Sequence, residues 1–574
     1  MVHKILDKGR NILVKPQDSV LSAATIIMVM IILSRILGLF RLRILAHFFT
    51  DSEMSLFFAA FRLPDLIFEV LVFGTFASAF IPVFTKSLKR GNSHAWDIAS
   101  TVVNIGLLVF AVFALILGFG AEHLYSIFAP GYEVADQQKV AELARVLFAA
   151  QGFFVISYVL TGVLESLRRF LVPALAPLFY NLGIILGTVF LARDMHLMAP
   201  VIGVVVGAFA HFAIQLPLAM KLGFRFKLKL DINEDVKKIG KLAAPRFIET
   251  TFMQLTRMTE LFFASLISAP AYTYYTFANT LQLLPVGLFG TAIAKAALPT
   301  LARQADDLQE FKKTLLDALY QVTFLVIPVA VSLIVLRIPL VRLVYGAEKF
   351  GWEATVQTSL TLSAFALSVV FQSMAAILAR GFYALHNTKT PVLVSITAIL
   401  ITIITDYILI GIFGKGVWGL AAAFTLGSII QATSLFYLMS KRLNSFSFTL
   451  FKPFIRSAVA ASLSGTLMYF ILKFFDKSVW IKRLSFLSTL EITKNLNFEK
   501  FVLDTRYTAN LVVLTIFVLT AGALLYIILS LIFGSKEVWV FFNLVKRTFL
   551  RREVAPIPSK ETETVAPTPS DSAN

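Results

Sequence analysis

Five arginines lie inside stretches long and apolar enough to cross a bilayer: Arg35, Arg41, Arg62, Arg246 and Arg257. An ionised side chain at bilayer depth costs about 3 kcal/mol or more, so it normally faces a protein interior or a watered cavity. Guanidinium groups present a rigid fork of donors that matches phosphate and carboxylate oxygens. The chemistry these residues offer is capture of an anion that cannot enter hydrocarbon unaided.

Spacing refines this reading. Arg35 and Arg41 are six residues apart, about 9 Å of helical rise and roughly 120° of rotation, so they need not share a face. Arg41 and Arg43 could instead snorkel from a helix end, an explanation that fits poorly with Arg35 near mid-span. Arg62 precedes Pro64, whose missing N–H and ring clash predict a kink. In a later span Arg246, Glu249, Gln254, Arg257 and Glu260 recur close to helical spacing, and eleven residues bring Arg246 and Arg257 to about 20° of each other in projection. This stripe either lines a cavity or neutralises itself through Arg246–Glu249 and Arg257–Glu260 pairs at i,i+3. Lys295, within Gly290-Thr291-Ala292-Ile293-Ala294-Lys295, either adds a cation to the cavity or snorkels to the cytoplasmic end.

The elements that must position these side chains follow from composition. Of 574 residues 57% are hydrophobic and only 15% charged, with mean hydropathy +0.79, against about 45–50% and 25% in soluble domains. An all-α polytopic membrane protein is expected. Runs of about 20 apolar residues start near Leu21, Met54, Ile98, Val140, Val172, Pro200, Ile239, Tyr272, Leu315, Leu360, Pro391, Val417, Phe454 and Asn510. That makes fourteen spans, grouped as twelve plus two. The expected division is a basic cytoplasmic N-terminus at 1–19, an N-lobe at 20–230, a C-lobe at 231–445, two further spans within 446–535 carrying a polar insert at about 477–507, and a cytoplasmic, compositionally disordered tail at 536–574.

Lys and Arg gather in alternate loops, at Lys86-Lys89-Arg90, Arg168-Arg169, Lys221 to Lys241, Lys312-Lys313, Lys389 and Lys441-Arg442, while the intervening loops are acidic or poor in charge. The positive-inside rule then puts both termini in the cytoplasm and assigns most of the +18 net charge to that face and its anionic lipids, not to nucleic acid. The chain has no Cys, no H-E-x-x-H and no P-loop signature, so no enzyme activity and no ATP-driven step are expected.

Three early motifs occur in order: Ser34-Arg35-Ile36-Leu37-Gly38-Leu39-Phe40-Arg41, then Phe57-Phe58-Ala59-Ala60-Phe61-Arg62-Leu63-Pro64, then Gly74-Thr75-Phe76-Ala77-Ser78-Ala79-Phe80-Ile81-Pro82. Later come Arg169-Phe170-Leu171-Val172-Pro173-Ala174-Leu175-Ala176-Pro177 with Asn181, Phe263-Ala264-Ser265, and Gly381-Phe382-Tyr383-Ala384 before Thr388-Lys389-Thr390-Pro391. Over roughly residues 20–530 this series resembles the MurJ (MviN) family. The resemblance implies the multidrug/oligosaccharidyl-lipid/polysaccharide exporter fold, with two six-helix lobes that alternate access. It also implies residence in the bacterial cytoplasmic membrane, and transfer of lipid II, the undecaprenyl-diphosphate-linked peptidoglycan precursor, from the inner to the outer leaflet. Spans thirteen and fourteen would form a groove for the lipid tail.

By the same resemblance Arg35, Arg41 and Arg62 are substrate-binding residues, joined by Arg246, Arg257 and Lys295. Glu260 with Asp406 and Thr402 resemble a Na⁺ site, and oxygen ligands from two helices suit a hard cation. The chain departs from the family pattern where Ser55, Phe68 and Thr280 stand at usually charged positions. These departures keep two alternatives open: another lipid-linked oligosaccharide as substrate, or a transport-inactive scaffold that recruits cell-wall synthesis proteins through its tail. A drug or cation antiporter of the same fold would favour acidic and aromatic cavity walls over basic ones.

Overall fold

The computed structural model describes residues 20–70, 74–228, 230–443, 451–476, 508–540 and 542; the side chains of 20–27, 74–79, 242–246, 248 and 249 lie outside that description. The N-terminal segment, the 477–507 insert and the C-terminal tail therefore fall outside the described residues, as does the side chain of Arg246.

The described elements are almost entirely helical. The first half comprises α1 (Val20–Phe48), α2 (Asp51–Ala60), α3 (Arg62–Phe68), α4 (Gly74–Leu88), α5 (Asn92–Phe119), α6 (Ala121–Phe128), α7 (Val134–Ser166), α8 (Leu171–Met195), α9 (Met198–Ala213) and α10 (Leu216–Lys221). The second comprises α11 (Glu234–Ile267), α12 (Ala271–Pro285), α13 (Ala292–Arg303), α14 (Leu308–Val335), α15 (Arg337–Tyr345), α16 (Trp352–Ala384), α17 (Lys389–Asp406) and α18 (Trp418–Arg442). Two further helices, α19 (Lys452–Phe475) and α20 (Thr508–Ile532), follow.

Eleven helices among the described residues are long and apolar enough to cross a membrane. The other three of the fourteen expected spans are α1, the broken run α2–α4 and α11, each of which includes side chains outside the description. Several helices start earlier than their apolar runs, as with Asn92 for a run read from Ile98 and Trp352 for one read from Leu360. α11 shows why. Its 34 residues rise about 51 Å, well beyond the roughly 30 Å hydrocarbon core, so its polar first turns extend past the apolar part.

Local chemistry sets the ends. Thr50 and Glu53 form a capping box on α2, the Glu53 amide donating to Thr50 Oγ1 at 3.3 Å and the Thr50 amide to Glu53 Oε2 at 2.8 Å. Asn233 Oδ1 accepts from the Val236 amide at 3.0 Å to start α11. The two halves repeat one turn. After α7, Arg168 has φ 58° and the Arg169 amide bonds the Leu164 carbonyl at 2.8 Å; after α16, His386 has φ 56° and the Asn387 amide bonds the Phe382 carbonyl at 2.9 Å. Both are six-to-one helix closures, and a proline follows each, Pro173 and Pro391.

Small residues let two neighbouring helices pack closely. A Cβ on Gly183 would lie 2.4 Å from Gly207 Cα, and one on Gly187 2.6 Å from Gly203 Cα, so α8 and α9 touch backbone to backbone. α1 packs on α8 and reaches α15 in the other half; α2 packs on α12, and α4 on α11. One hydrophobic core spans both halves; Phe58 of the first meets Phe277 of the second at 5.9 Å, and Phe277 in turn stacks on Tyr345 at 4.0 Å.

Candidate functional site

The site is organised around the break at Pro64. A proline nitrogen cannot donate to the carbonyl four residues back, and here that carbonyl belongs to Ala60. The Tyr125 hydroxyl fills the vacancy, donating to the carbonyls of Ala60 at 3.0 Å and Ala59 at 3.2 Å. The helix restarts as α3 with Arg62 as its first residue, which aims that guanidinium into the seam between the halves. Its centre stands 5.7 Å from the Tyr272 ring centroid on α12, and its Nε is buried without a hydrogen-bond partner.

Arg62 has acidic company that the sequence reading missed. Asp65 Oδ2 lies 4.0 Å from Arg62 Nη2, and Asp65 Oδ1 accepts from Gln151 Nε2 on α7 at 2.7 Å. Glu69, at the end of the same short run, interacts electrostatically with Arg257, Asp65 and Arg62. Glu260 completes the cluster and interacts with Arg257 and Arg62. The i,i+3 spacing of Asp65 from Arg62 was a usable signal; Gln151, 86 residues away, left none.

The two alternatives for α11 resolve in part. Arg257 and Glu260 are not an ion pair within 4.0 Å; instead the Tyr275 hydroxyl donates to Glu260 Oε1 at 2.6 Å. Arg257 is partly exposed and faces the cluster across the seam from Asp65. Arg246 is a residue of α11, about three turns before Arg257.

The other predicted arginines are spread along α1. Arg35 is exposed and has no partner among the described residues. Arg41 is half-buried with its Nε unpartnered, and Tyr180 of α8 is its electrostatic neighbour. Arg43 is tied across the seam, its Nη1 donating to the Leu343 carbonyl on α15 at 2.5 Å. Lys295 is exposed on α13, beyond Pro285 and the π-helical turn Val286–Thr291.

Asp406 is 2% exposed, and its Oδ1 has no hydrogen-bond partner. It is within electrostatic reach of Glu260. Thr402, one turn before it, is buried and donates its hydroxyl to the Ala398 carbonyl at 3.0 Å, leaving its lone pairs available. An orphaned carboxylate oxygen is the kind of hard ligand a cation takes, although no group of three or more His, Cys, Asp or Glu clusters among the described residues.

The residues at the departing positions are structurally absorbed. Ser55 Oγ pairs with the Tyr132 hydroxyl at 2.9 Å. Phe68 packs on Phe154 and Tyr158. Thr280 bonds the Thr276 carbonyl at 2.8 Å.

One end of the seam is closed by contacts between the halves. Thr273 Oγ1 donates to the Asp51 carbonyl at 2.7 Å, and the Tyr274 hydroxyl to the Asp51 carboxylate. The Gly131 amide donates to Ser265 Oγ at 3.2 Å. An apolar groove of about 640 Å³ opens elsewhere, lined by α14, α16, α18 and α19 through residues such as Val331, Phe371, Phe436, Phe454 and Ile455. Of the last two helices α19 lines this groove, and α20 packs against α19, where the Ser464 hydroxyl donates to the Gly522 carbonyl at 2.6 Å.

Residues 44–491 match the family model described as lipid II flippase MurJ. The lipid II flippase MurJ of Burkholderia cenocepacia is 28% identical over 429 residues, covering 72% of this chain and 82% of its own. That of Thermosipho africanus is 27% identical over 468 residues, covering 80% and 93%. Among solved structures, a lipid II flippase MurJ in an inward closed conformation superposes with TM-score 0.70 at 23% identity, over 92% of this chain and 99% of that one. An inward-facing multidrug resistance transporter of the MATE family and MOP superfamily gives 0.59 at 14% identity, over 72% and 94%. These two likenesses are of fold. With arginines set along a seam between two helical halves, and with the family model matching most of its length, this chain belongs to the lipid II flippase MurJ family.

Proposed function

We propose that this chain carries lipid II, a polyprenyl-diphosphate-linked glycan, from the inner to the outer leaflet of the bacterial cytoplasmic membrane by alternating access. The moving bodies are an N-lobe at 20–230 and a C-lobe at 231–445, with both termini in the cytoplasm and α19 and α20 attached to the C-lobe. The observation that carries this reading is the Arg62 guanidinium, held by the Pro64 break in the seam with an unpartnered buried Nε and Arg257 opposite. A diphosphate arriving there replaces its hydration with charge-assisted hydrogen bonds.

Arg35, Arg62 and Arg257 bind the diphosphate, Arg41 stands toward the outer gate, and Arg246 and Lys295 draw the anion in from the cytoplasmic side. The apolar groove on α14, α16, α18 and α19 takes part of the polyprenyl tail. Glu260, Thr402 and Asp406 hold a Na⁺ ion, which supplies a positive charge that couples the state of the C-lobe to an ion gradient. Cell-wall synthesis proteins are the partners for the C-terminal tail.

The test is complementation of a conditional flippase-depletion strain, with a leaflet-accessibility assay for lipid II. Rescue by the wild-type gene and loss of rescue with Arg35→Ala or Arg62→Ala, at unchanged membrane abundance, is the expected result. A well-inserted wild-type protein that neither rescues growth nor moves lipid II overturns the reading. Movement of a different lipid-linked oligosaccharide in the same vesicles would favour the second reading, for which the apolar Phe68 and neutral Thr280 at usually charged family positions speak.

A further inference from the structure

The wall around Arg62 is not simply cationic. Two guanidinium groups, Arg62 and Arg257, face three carboxylates, those of Asp65, Glu69 and Glu260. With all five ionised the cluster carries one net negative charge, an odd setting for a diphosphate unless the carboxylates have a task of their own.

Asp65 is placed for one. Its Oδ2 stands 4.0 Å from Arg62 Nη2, beyond the 2.7–2.9 Å of a charge-assisted hydrogen bond. It attracts the guanidinium without locking it, and neither side chain is fully sealed in the seam, at 16% and 22% exposure. A phosphate oxygen at full hydrogen-bond distance wins Arg62 from a carboxylate at 4.0 Å. Asp65 cannot then withdraw, because Gln151 holds its Oδ1 at 2.7 Å and α3 fixes its backbone. The loaded site keeps a carboxylate beside the bound diphosphate, with Glu69 one turn further along.

We propose that Asp65, pinned by Gln151 and supported by Glu69, sets anion selectivity and release: it is the counter-ion from which the diphosphate takes Arg62, and the like charge that later expels it. An anion of single charge gains too little from Arg62 and Arg257 to displace Asp65, whereas a diphosphate engages both arginines. The inference rests on the flippase reading above, and it deepens it by giving the same site a release step.

The experiment uses the full-length protein in lipid nanodiscs for equilibrium binding of undecaprenyl diphosphate, and in vesicles for lipid II translocation at saturating and half-saturating substrate. Asp65→Asn is expected to bind roughly tenfold or more tightly, within the range of ordinary coupling between sites, while its saturating translocation rate falls by a similar factor. Asp65→Glu keeps the charge and is expected to bring both quantities most of the way back from their Asp65→Asn values. Glu69→Gln is expected to shift both quantities in the same direction by a smaller factor, and it decides the matter if Asp65→Asn does not insert. Asp65→Asn that is stably inserted yet binds no tighter than wild type overturns the proposal, as does equal loss of rate in Asp65→Asn and Asp65→Glu with unchanged affinity, the pattern of a merely structural residue. If wild type binds and only the variants disappoint, the release step alone falls. If wild type fails to bind undecaprenyl diphosphate, the flippase reading falls and takes the release step with it.

Discussion

Gly131 offers the sharpest perturbation of the seam. It lies between α6 and α7, and a Cβ there would stand 2.2 Å from the Ser265 carbonyl oxygen and 2.7 Å from the Leu266 nitrogen on the other half. These are backbone atoms, so no side-chain rotation relieves the clash. Reaching about 3.4 Å, an ordinary contact, requires the halves to part by about 1.2 Å at this end. The Gly131 amide to Ser265 Oγ bond at 3.2 Å is stretched with it. Overpacking of this kind costs about 1–3 kcal/mol, and only the closed form bears the cost. The ratio of open to closed should rise roughly 5- to 150-fold in Gly131→Ala. The assay is direct because the chain has no Cys. Thr273 is fully buried in the same closure and holds the Asp51 carbonyl, so Thr273→Cys should react slowly with a membrane-impermeant maleimide added from outside. In the Gly131→Ala background the labelling rate should rise in proportion to the open population. Gly351→Ala, with nothing within 4 Å of the added methyl, is the matched control. Equal labelling in the two backgrounds would refute the reasoning that the tight approach of Gly131 to Ser265 governs closure.

Other outcomes follow from the same geometry. Tyr125→Phe takes the hydroxyl donor from the Ala60 carbonyl at the Pro64 break, while Ala59 keeps the Phe61 amide, and should cost about 1–3 kcal/mol, read as a lowered melting temperature in detergent; an unchanged melting temperature would show that the break does not need the hydroxyl. Gly183→Val must push α8 from α9 against a 2.4 Å approach to Gly207 Cα and should sharply reduce folded yield, whereas Gly240→Ala, in open space on α11, should be neutral or slightly stabilising. At the first turn of α11, outside the hydrocarbon core, the hydrogen bond from His94 and then the charge of Arg90, both at 3.0 Å, hold the Asp235 carboxyl below its ordinary range. A lowered value means the stabilisation is present above the ordinary pKa and lost as pH falls through the lowered one. Asp235→Asn should therefore lower stability at pH 7 by well under 1 kcal/mol, as for other exposed pairs, and the difference from wild type should vanish in strong acid; a difference that persists there would point to packing instead of charge.

Much of this protein is determined locally and can be read in its sequence. Span length and apolarity depend on the bilayer alone, which is why an all-helical membrane architecture and most helix positions were legible before any contact was known. The desolvation cost of a guanidinium in hydrocarbon singled out Arg35, Arg41, Arg62 and Arg257, and Pro64 announced the break that presents Arg62. What the sequence could not supply are the partners. Gln151 on Asp65, Tyr125 on the Ala60 carbonyl, Leu343 on Arg43 and Ser265 on Gly131 join residues 65 to 300 positions apart, and no periodicity encodes such pairings. The apolar groove is of the same kind, since which helix lines it and which packs behind is decided by many small van der Waals contacts summed over whole helices. The charged residues were thus marked by their individual cost in the membrane, whereas their relationships, including the carboxylates that temper Arg62, exist only once distant helices have packed.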